Sequence, residues 1–379
     1  MMLIDRRLDM VTPMVTPLTY EGLLDELVGI DCGFINNKSK TAPVAVNLVS
    51  LGVHAGNDTL YAEVRDQHVE KFGSFLQNQA LVLKESHTNF TSKDTKKNLN
   101  EIHQFVKQIP IFTQSLRSLT NHIHLAELIK ATTEDSSFRD QWNTERAMIE
   151  GESCYDILEE CIFTNYPPYK LLRLLCLQSL CSGGIKSNRY DQFKQSIVQV
   201  YGYEFLPILH NIEKMGFIKR IENRGGGVFA NLADGAGASS GGRSLFQSIK
   251  RNLILIHAEV NTTEPDDISY VSSGYAPLTV RLIQSAMQGW IGSGSGSSSS
   301  SYGKRKSITT TTTTTSGSSK NSGTKKKKKP TLIVVYLGGI TYMEIASLRF
   351  LSKRDSFPYH IIVITTKVLN GTKLIQSME

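Results

Sequence analysis

The sequence lacks the motifs that mark the common enzyme and metal-binding classes. It contains no HExxH, no GxSxG, no P-loop and no Cys/His pairs at metal-ligand spacing. No apolar run approaches the length of a membrane-spanning helix, about 18 residues or more, and no signal peptide precedes the first apolar segment. We therefore predict a cytosolic binding protein with no catalytic residue, no cofactor and no metal site.

Cysteine is also scarce. The cysteines are odd in number and form no CxxC pair: Cys32, Cys154, Cys161, Cys176 and Cys181. Residues 171–181 are apolar on most helical faces, which predicts a buried central helix containing Cys176 and Cys181. Buried reduced thiols are expected, and this usage is typical of a cytosolic chain.

Acidic residues are absent from residues 291–329, a stretch that holds nine basic side chains. The formal net charge is +7, so the rest of the chain carries about −2 and is not basic. The stretch combines a Gly/Ser run, a threonine tract at 309–315 and a lysine block at 325–329. We predict a disordered, solvated insert over 291–330, with nuclear import or anionic-lipid binding as alternatives for the lysines.

The chain opens on a predicted strand. Residues 2–4 form a brief apolar run, which is typical of a buried strand in an α/β sheet. Four charged residues follow at its carboxyl end: Asp5, Arg6, Arg7 and Asp9. Acids in this place often belong to active sites, but no nucleophile or metal ligand lies near them in the sequence. We therefore predict a local ion-pair lock, with Asp5 on Arg6 or Arg7 and Asp9 on the backbone of the turn at 12–13.

The chain closes on a predicted βαβ unit over residues 331–366, whose first turn is Gly338-Gly339. The glycine pair lacks both the GxGxxG spacing and the Walker lysine, so we predict a structural role. An inactive dinucleotide-type fold is a weaker alternative. Because a parallel strand needs neighbours, residues 2–5 and 331–366 are predicted to pair in one sheet around an inserted helical region.

Residues 68–150 show helical apolar spacing with few breakers. We predict two long antiparallel helices joined near residues 84–97, with Pro110 as a kink or a break. They form either the core of a bundle or a protruding arm that grips another helix, and periodicity alone favours the bundle. His122 and His124 lack a nearby Cys or acid set, so we predict histidines on the helix surface and not metal ligands.

Residues 201–219 and the Gly-rich stretch after them resemble a winged-helix layout, with an enlarged wing at 225–242. Such units often bind DNA. The candidate recognition helix carries only Lys214, offset by Glu204 and Glu213, so a structural use is favoured. A winged-helix nucleic-acid-binding protein with a basic tail is the alternative function.

Two tyrosines belong to a tight extended turn within residues 266–277, which also contains Gly274 and Pro277. Tyr270 and Tyr275 are either exposed interface anchors or a well-packed pair. The sequence does not decide between these two interpretations.

Several of these segments resemble one known family. Residues 4–13 (IDRRLDMVTP) and 337–349 (LGGITYMEIASLR) are similar to motifs of the SM family, the soluble syntaxin-binding regulators of SNARE-driven fusion. Residues 18–26 (LTYEGLLDE) are similar to one branch, the SM subunits of the class C tethering complexes HOPS and CORVET. The resemblance covers residues 2–379 except the inserts at about 222–242 and 291–329.

The resemblance implies a Sec1-like fold, α/β plus α-helical, in which a partial parallel sheet domain made of two remote segments carries a large inserted helical domain. The implied divisions are 1–55 and 331–379 for the α/β domain, 56–160 for a helical arm, 161–290 for a globular helical unit, and 291–330 for the insert. In the family a small α/β domain precedes the first motif. We expect that part to be absent from this chain.

The resemblance also implies a non-enzymatic clamp that binds SNARE helices and docks on the scaffold subunit of a class C complex. The implied SNARE contacts on the arm are Glu101, Gln104, Lys107 and Gln108. The implied scaffold contacts are Tyr270, Tyr275 and Arg281. Structural roles fall to Asp5, Arg6, Asp9, Gly338 and Gly339. The expected location is cytoplasmic and peripheral on late endosomes, lysosomes or vacuoles, with indirect membrane contact and no nucleic acid.

Overall fold

A computed structural model describes residues 1–31, 33–36, 45–47, 58–91, 99–221, 244–288 and 329–379. The predicted wing at 225–242 lies outside these residues, and so does the low-complexity segment from 291 through 328.

The described residues form short strands and longer helices. The strands are β1 (Met2–Asp5), β2 (Phe34–Asn36), β3 (Ala45–Asn47), β4 (Ile185–Lys186), β5 (Arg220–Ile221), β6 (Thr331–Leu337) and β7 (His360–Thr365). The helices are α1 (Tyr20–Leu27), α2 (Thr59–Val64), α3 (Val69–Thr91), α4 (Leu99–Thr133), α5 (Ser136–Glu150), α6 (Tyr155–Phe163), α7 (Pro168–Ser182), α8 (Ser187–Tyr201), α9 (Phe205–Lys214), α10 (Leu245–Asn252), α11 (Leu278–Gln288), α12 (Tyr342–Lys353) and α13 (Gly371–Gln376).

The two ends of the chain meet in one parallel sheet, with strand order β1-β6-β7. Met2 is paired with Val334, and Thr331 is paired with His360. The prediction that residues 2–5 and 331–366 share a sheet is therefore confirmed.

One face of this sheet is buried against helices. Leu332, Val334 and Tyr336 alternate with more exposed residues along β6, because successive side chains of a strand point to opposite faces. The buried set packs in one core with apolar residues of α11 and α12. Gly338 and Gly339 then turn the chain with φ values of 87° and 100°, a region that favours glycine.

Helices α3 and α4 pack against each other and form the predicted pair of long helices. Tyr20 contacts both Phe72 near the start of α3 and His122 far along α4, as expected for antiparallel neighbours. α4 continues through Pro110, so the alternative that this proline breaks the helix is wrong. A separate core joins α1 and α2 to the beginning of α3 and the second half of α4. We call this end of the helix pair its base.

Helix α7 is the buried centre of the remaining helices, as the apolar run at 171–181 predicts, and packs against α5, α6, α10 and α13. Burial raises the pKa of both the Cys176 and the Cys181 thiol. Cys154 and Cys161 are also free, so the four cysteines in the described ranges are reduced. The predicted division between arm and helical unit at residue 160 stays a proposal, as does the winged-helix layout.

Candidate partner-binding surfaces

The arm, defined as α3 and α4, is anchored at its base by a buried histidine. His122 was expected on the helix surface, and this expectation is wrong because its side chain is fully buried. Its Nδ1 lies 2.9 Å from the Tyr20 hydroxyl, and its Nε2 lies 2.9 Å from Asp58 Oδ2. The ring also stacks on Tyr61, with 5.8 Å between centroids. The side chain therefore joins α4 to α1 and α2 by polar contacts.

Asp58 reinforces this anchor. Its Oδ1 accepts hydrogen bonds from the Tyr61 amide at 3.1 Å, as the N-cap of α2, and from the Ser118 hydroxyl at 2.7 Å. Burial raises the pKa of Asp58, but the hydrogen bonds from His122 and Ser118 outweigh burial and lower it. The ionised carboxylate holds the base of α4 in one orientation. Within the described ranges, no group of three His, Cys, Asp or Glu side chains has the arrangement of a metal site.

The outer part of the arm exposes apolar side chains. The exposed residues are Leu81 and Val82 on α3, and Ile109, Ile111 and Leu116 on α4. Ile111 is 66% exposed and lies three or four residues from Lys107 and Gln108. Positions so spaced share one face of a helix. This face therefore combines polar residues with an uncovered apolar one.

The four predicted SNARE contacts all belong to α4. Gln104, Lys107, Gln108 and Ile111 are spaced for one helical face, with Glu101 one turn earlier. Lys107 is exposed, and the other three predicted side chains lie outside the described part of the structure. Their role in binding stays a prediction. The sequence interpretation missed Ile111, because it assigned the apolar residues of this region to the core.

The three predicted scaffold contacts are buried. Tyr270, Tyr275 and Arg281 are 3%, 4% and 4% exposed. The Tyr270 hydroxyl donates to the Asp66 carbonyl at 2.9 Å, and the Tyr275 hydroxyl lies 3.0 Å from Thr12 Oγ1. The interpretation of the tyrosines as exposed anchors is therefore wrong. The turn is covered by segments that are distant in sequence, and these side chains are not available for a direct contact.

Two exposed aromatic residues lie elsewhere on the helical unit. Phe163 at the end of α6 is 74% exposed, and Tyr203 before α9 is 79% exposed. The Tyr201 hydroxyl donates to the Tyr166 carbonyl at 2.6 Å, so the turn before α9 lies beside the turn after α6. We call Phe163 and Tyr203 the aromatic pair. Exposed aromatic side chains are the type that anchors protein interfaces.

The charges at the end of β1 are engaged in local contacts. Asp5 accepts from the Arg7 amide at 2.9 Å and from Arg7 Nη2 at 2.8 Å. The side-chain hydrogen bond from Arg7 lowers the pKa of Asp5 to about 2. Asp9 is buried and accepts from the Thr12 amide at 2.9 Å. Asp5 and Asp9 thus both stabilise the chain after β1 through local contacts, as expected for the predicted ion-pair lock.

Arg6 connects this turn to the far end of the chain. Its Nη1 lies 2.7 Å from Glu344 Oε2 in α12, and its Nε donates to the Asp9 carbonyl at 2.9 Å. Glu344 also completes a capping box with Thr341. The Gly338-Gly339 turn lies beside this pair, since a Cβ on Gly338 would approach the Arg6 side chain to 3.0 Å.

The match to a family model covers nearly the whole chain. Residues 1–377 match the Sec1 family. The chain therefore belongs to the Sec1 family, and the resemblance seen in the sequence motifs is confirmed.

Among its relatives is vacuolar protein sorting-associated protein 33A of Rattus norvegicus, which is 33% identical over 395 residues. The vacuolar protein-sorting-associated protein 33 homolog of Arabidopsis thaliana is 33% identical over 386 residues. Each alignment covers 100% of this chain and 61% of the relative, so the chain spans about three fifths of the length of these relatives.

Solved structures of the family share the fold. The Unc18–syntaxin 1 complex of Monosiga brevicollis matches with a TM-score of 0.63 at 14% identity, over 99% of this chain and 60% of that one. The SM protein Vps45 in complex with the Qa SNARE Tlg2 matches with a TM-score of 0.60 at 14% identity, over 99% and 58%. The predicted Sec1-like fold, α/β plus α-helical, is confirmed. In the part of the chain that the structure describes, no helix is both long and apolar enough to cross a bilayer.

Proposed function

We propose that this chain is a SNARE-binding subunit of a class C tethering complex of the HOPS or CORVET type. It acts without catalysis in vesicle fusion on the route from endosomes to lysosomes or vacuoles. The observation that carries the proposal is the exposed face of α4, with Lys107 and Ile111, on an arm whose base is fixed by His122. The relatives are named for vacuolar protein sorting, and two solved neighbours are complexes with SNARE proteins.

The proposed mechanism is templating. An amphipathic SNARE segment lays its apolar side on the exposed face of α4, in the helix-in-groove manner. A segment bound in this way has already lost ordering entropy, so a second segment held beside it joins at high effective concentration. The rigid base matters because an arm free to rotate would present no fixed template.

Substitution of Ile111 tests this binding face. We expect Ile111→Asp to weaken the binding of a fluorescent syntaxin-type SNARE segment at least about tenfold, because it places a charge against the apolar side of the ligand. Ile109→Asp is the matched control, since Ile109 is exposed on the same helix but two residues away, on another face. Fluorescence anisotropy titration of both variants gives the comparison. Equal weakening by the two variants, or no binding by the unaltered chain, would refute the proposed face.

The proposed contact with the tethering scaffold is better carried by the aromatic pair than by the buried Tyr270, Tyr275 and Arg281. Phe163 and Tyr203 are exposed and project from adjacent turns of the helical unit. A class C scaffold subunit that covers both would bury two aromatic rings, the kind of contact that dominates interface energies. The predicted peripheral location on late endosomes, lysosomes or vacuoles would then come from the tethering complex.

We expect Tyr203→Asp to abolish co-purification of the scaffold subunit while leaving SNARE binding unchanged. Ile111→Asp should do the reverse, so each variant is the control for the other. Co-expression with the scaffold subunit, followed by size-exclusion chromatography, measures the first effect. If the Tyr203→Asp chain still elutes with the scaffold subunit, the aromatic pair is not the docking site. Neither the family nor the relatives named above support the nucleic-acid alternative.

A further inference from the structure

A polar cavity of about 310 Å³ lies where the helical unit meets the sheet domain. Four segments line it: the end of α10 with the turn after it, Asp267, the middle of α11 and the turn after α12. Its size is near the lower end for small-ligand sites, about 300–1,000 Å³. Three basic side chains line it, Arg281, Arg354 and His257, against the single acid Asp267.

Asp267 does not leave a free negative charge in this cavity. Its two oxygens accept from Arg281, at 2.8 Å for Oδ1 and 2.7 Å for Oδ2. Burial raises the pKa of Asp267, but the contacts with Arg281 outweigh burial and lower it to about 2. The Asp267 carboxylate is therefore ionised, and both of its oxygens are paired with Arg281. Arg281 is held in place as well, since its Nη1 also donates to Gln284 Oε1 at 2.8 Å and its Nη2 lies 3.0 Å from His257 Nε2.

Arg354 supplies the remaining positive charge. Its guanidinium carbon lies 4.8 Å from the centroid of the Phe350 ring, and no described carboxylate forms an ion pair with it. Asp355 follows it in sequence but is exposed and does not line the cavity. Lys329 Nζ donates to the Arg354 carbonyl oxygen and adds a second cation close by. The Arg354 guanidinium therefore gives the cavity one positive charge that no described carboxylate pairs with, whereas the charge of Arg281 is paired with Asp267.

We propose that this cavity binds a phosphate-bearing small molecule, with the guanidinium of Arg354 as the charged donor and Gln284 and Ser285 as neutral neighbours. A phosphate group offers three acceptor oxygens, and planar guanidinium groups match their geometry. The same chemistry is found in a soluble inositol phosphate and in the headgroup of a phosphoinositide lipid. None of the lining residues belongs to the arm or to the aromatic pair, so the site is independent of the proposed SNARE and scaffold contacts.

Two probes test the site in the full chain. Isothermal titration calorimetry with inositol hexakisphosphate at about 150 mM salt measures the soluble ligand, since that ionic strength screens most surface charge. Flotation with phosphatidylcholine vesicles, with and without phosphatidylinositol 3-phosphate, measures the lipid. Arg354→Gln should weaken binding about tenfold, as expected for loss of one charge-assisted contact. Arg251→Gln removes the same charge from an exposed residue outside the cavity and should change binding less than about twofold.

The outcomes separate the ligand sources. Calorimetric binding without flotation assigns a soluble anion, whereas flotation that needs phosphatidylinositol 3-phosphate and is lost in Arg354→Gln assigns a lipid headgroup. Equal weakening by Arg354→Gln and Arg251→Gln would mean non-specific attraction and would overturn the proposal. Absence of binding to both probes by the unaltered chain would overturn it as well.

Discussion

Replacing Arg173 with methionine is expected to lower the free energy of unfolding by about 3–5 kcal/mol. Arg173 is fully buried in α7. Its Nε donates to the Met14 carbonyl at 2.6 Å, and its Nη2 donates to Thr16 Oγ1 at 2.9 Å. Its guanidinium also pairs with the carboxylate of Glu26. One side chain therefore joins the central helix to the N-terminal segment that carries β1 and α1.

The large effect follows from the acids left behind. Glu26 and Glu145 are both largely buried, and Glu145 Oε1 lies 3.6 Å from Arg173 Nη2. Burial lowers the pKa of Arg173, but Glu26 and Glu145 outweigh burial and raise it. Without the guanidinium, two carboxylates would stay in a low-dielectric site with no cation to compensate them. Methionine has a similar volume, but it carries no positive charge that could balance these two carboxylates.

Urea unfolding followed by circular dichroism measures the effect. Arg189→Met is the matched control, because Arg189 pairs with Glu159 at 2.6 Å while its side chain is 37% exposed. A pair so exposed is expected to contribute about 0–1 kcal/mol. Adding Glu145→Gln to Arg173→Met should restore part of the lost stability. Similar losses for Arg173→Met and Arg189→Met would show that burial does not strengthen the Arg173 contacts as argued.

The sequence predicts the position of α7 but not the partners of Arg173. The apolar run at 171–181 identifies a buried helix, because periodicity reports which faces avoid water. It gives no information about a charge within that run, whose partners Glu26 and Thr16 lie far away in sequence. The same limit explains His122, whose burial is set by Tyr20 and Asp58.

The turn at residues 266–277 shows a second case in which the sequence does not reveal whether side chains are buried. Tyr270 and Tyr275 stand among Gly and Pro in a pattern that is the same for an exposed turn and for a covered one. The contacts that bury them come from Asp66 and Thr12, which only the tertiary structure brings close. The sheet could be predicted, in contrast, because one short apolar strand and a βαβ unit leave few ways of pairing. The exposure of Ile111 could not be predicted, because an apolar residue at helical spacing is usually part of a core.

Replacing Glu344 with leucine is expected to cost about 3–5 kcal/mol, since it leaves Arg6 buried beside a single neighbouring acid. Glu344 is fully buried and accepts from Arg6 Nη1 at 2.7 Å and from the Thr279 hydroxyl at 2.6 Å. It also accepts from the Thr341 amide at 2.9 Å at the start of α12. The substitution would thus remove the capping box together with the ion pair between the two ends of the chain.

A double-mutant cycle separates these two contributions. Arg6→Met removes the ion pair and keeps the capping box, whereas Glu344→Gln keeps the volume and an acceptor but removes the charge. We expect the Arg6→Met, Glu344→Gln double variant to lose at least about 1 kcal/mol less than the two single losses combined, because contacting residues are coupled. Urea unfolding of the four chains gives the coupling energy. A strictly additive result would mean that Arg6 and Glu344 stabilise the fold separately, and that other contacts, such as the pairing of β1 with β6, hold the two ends together.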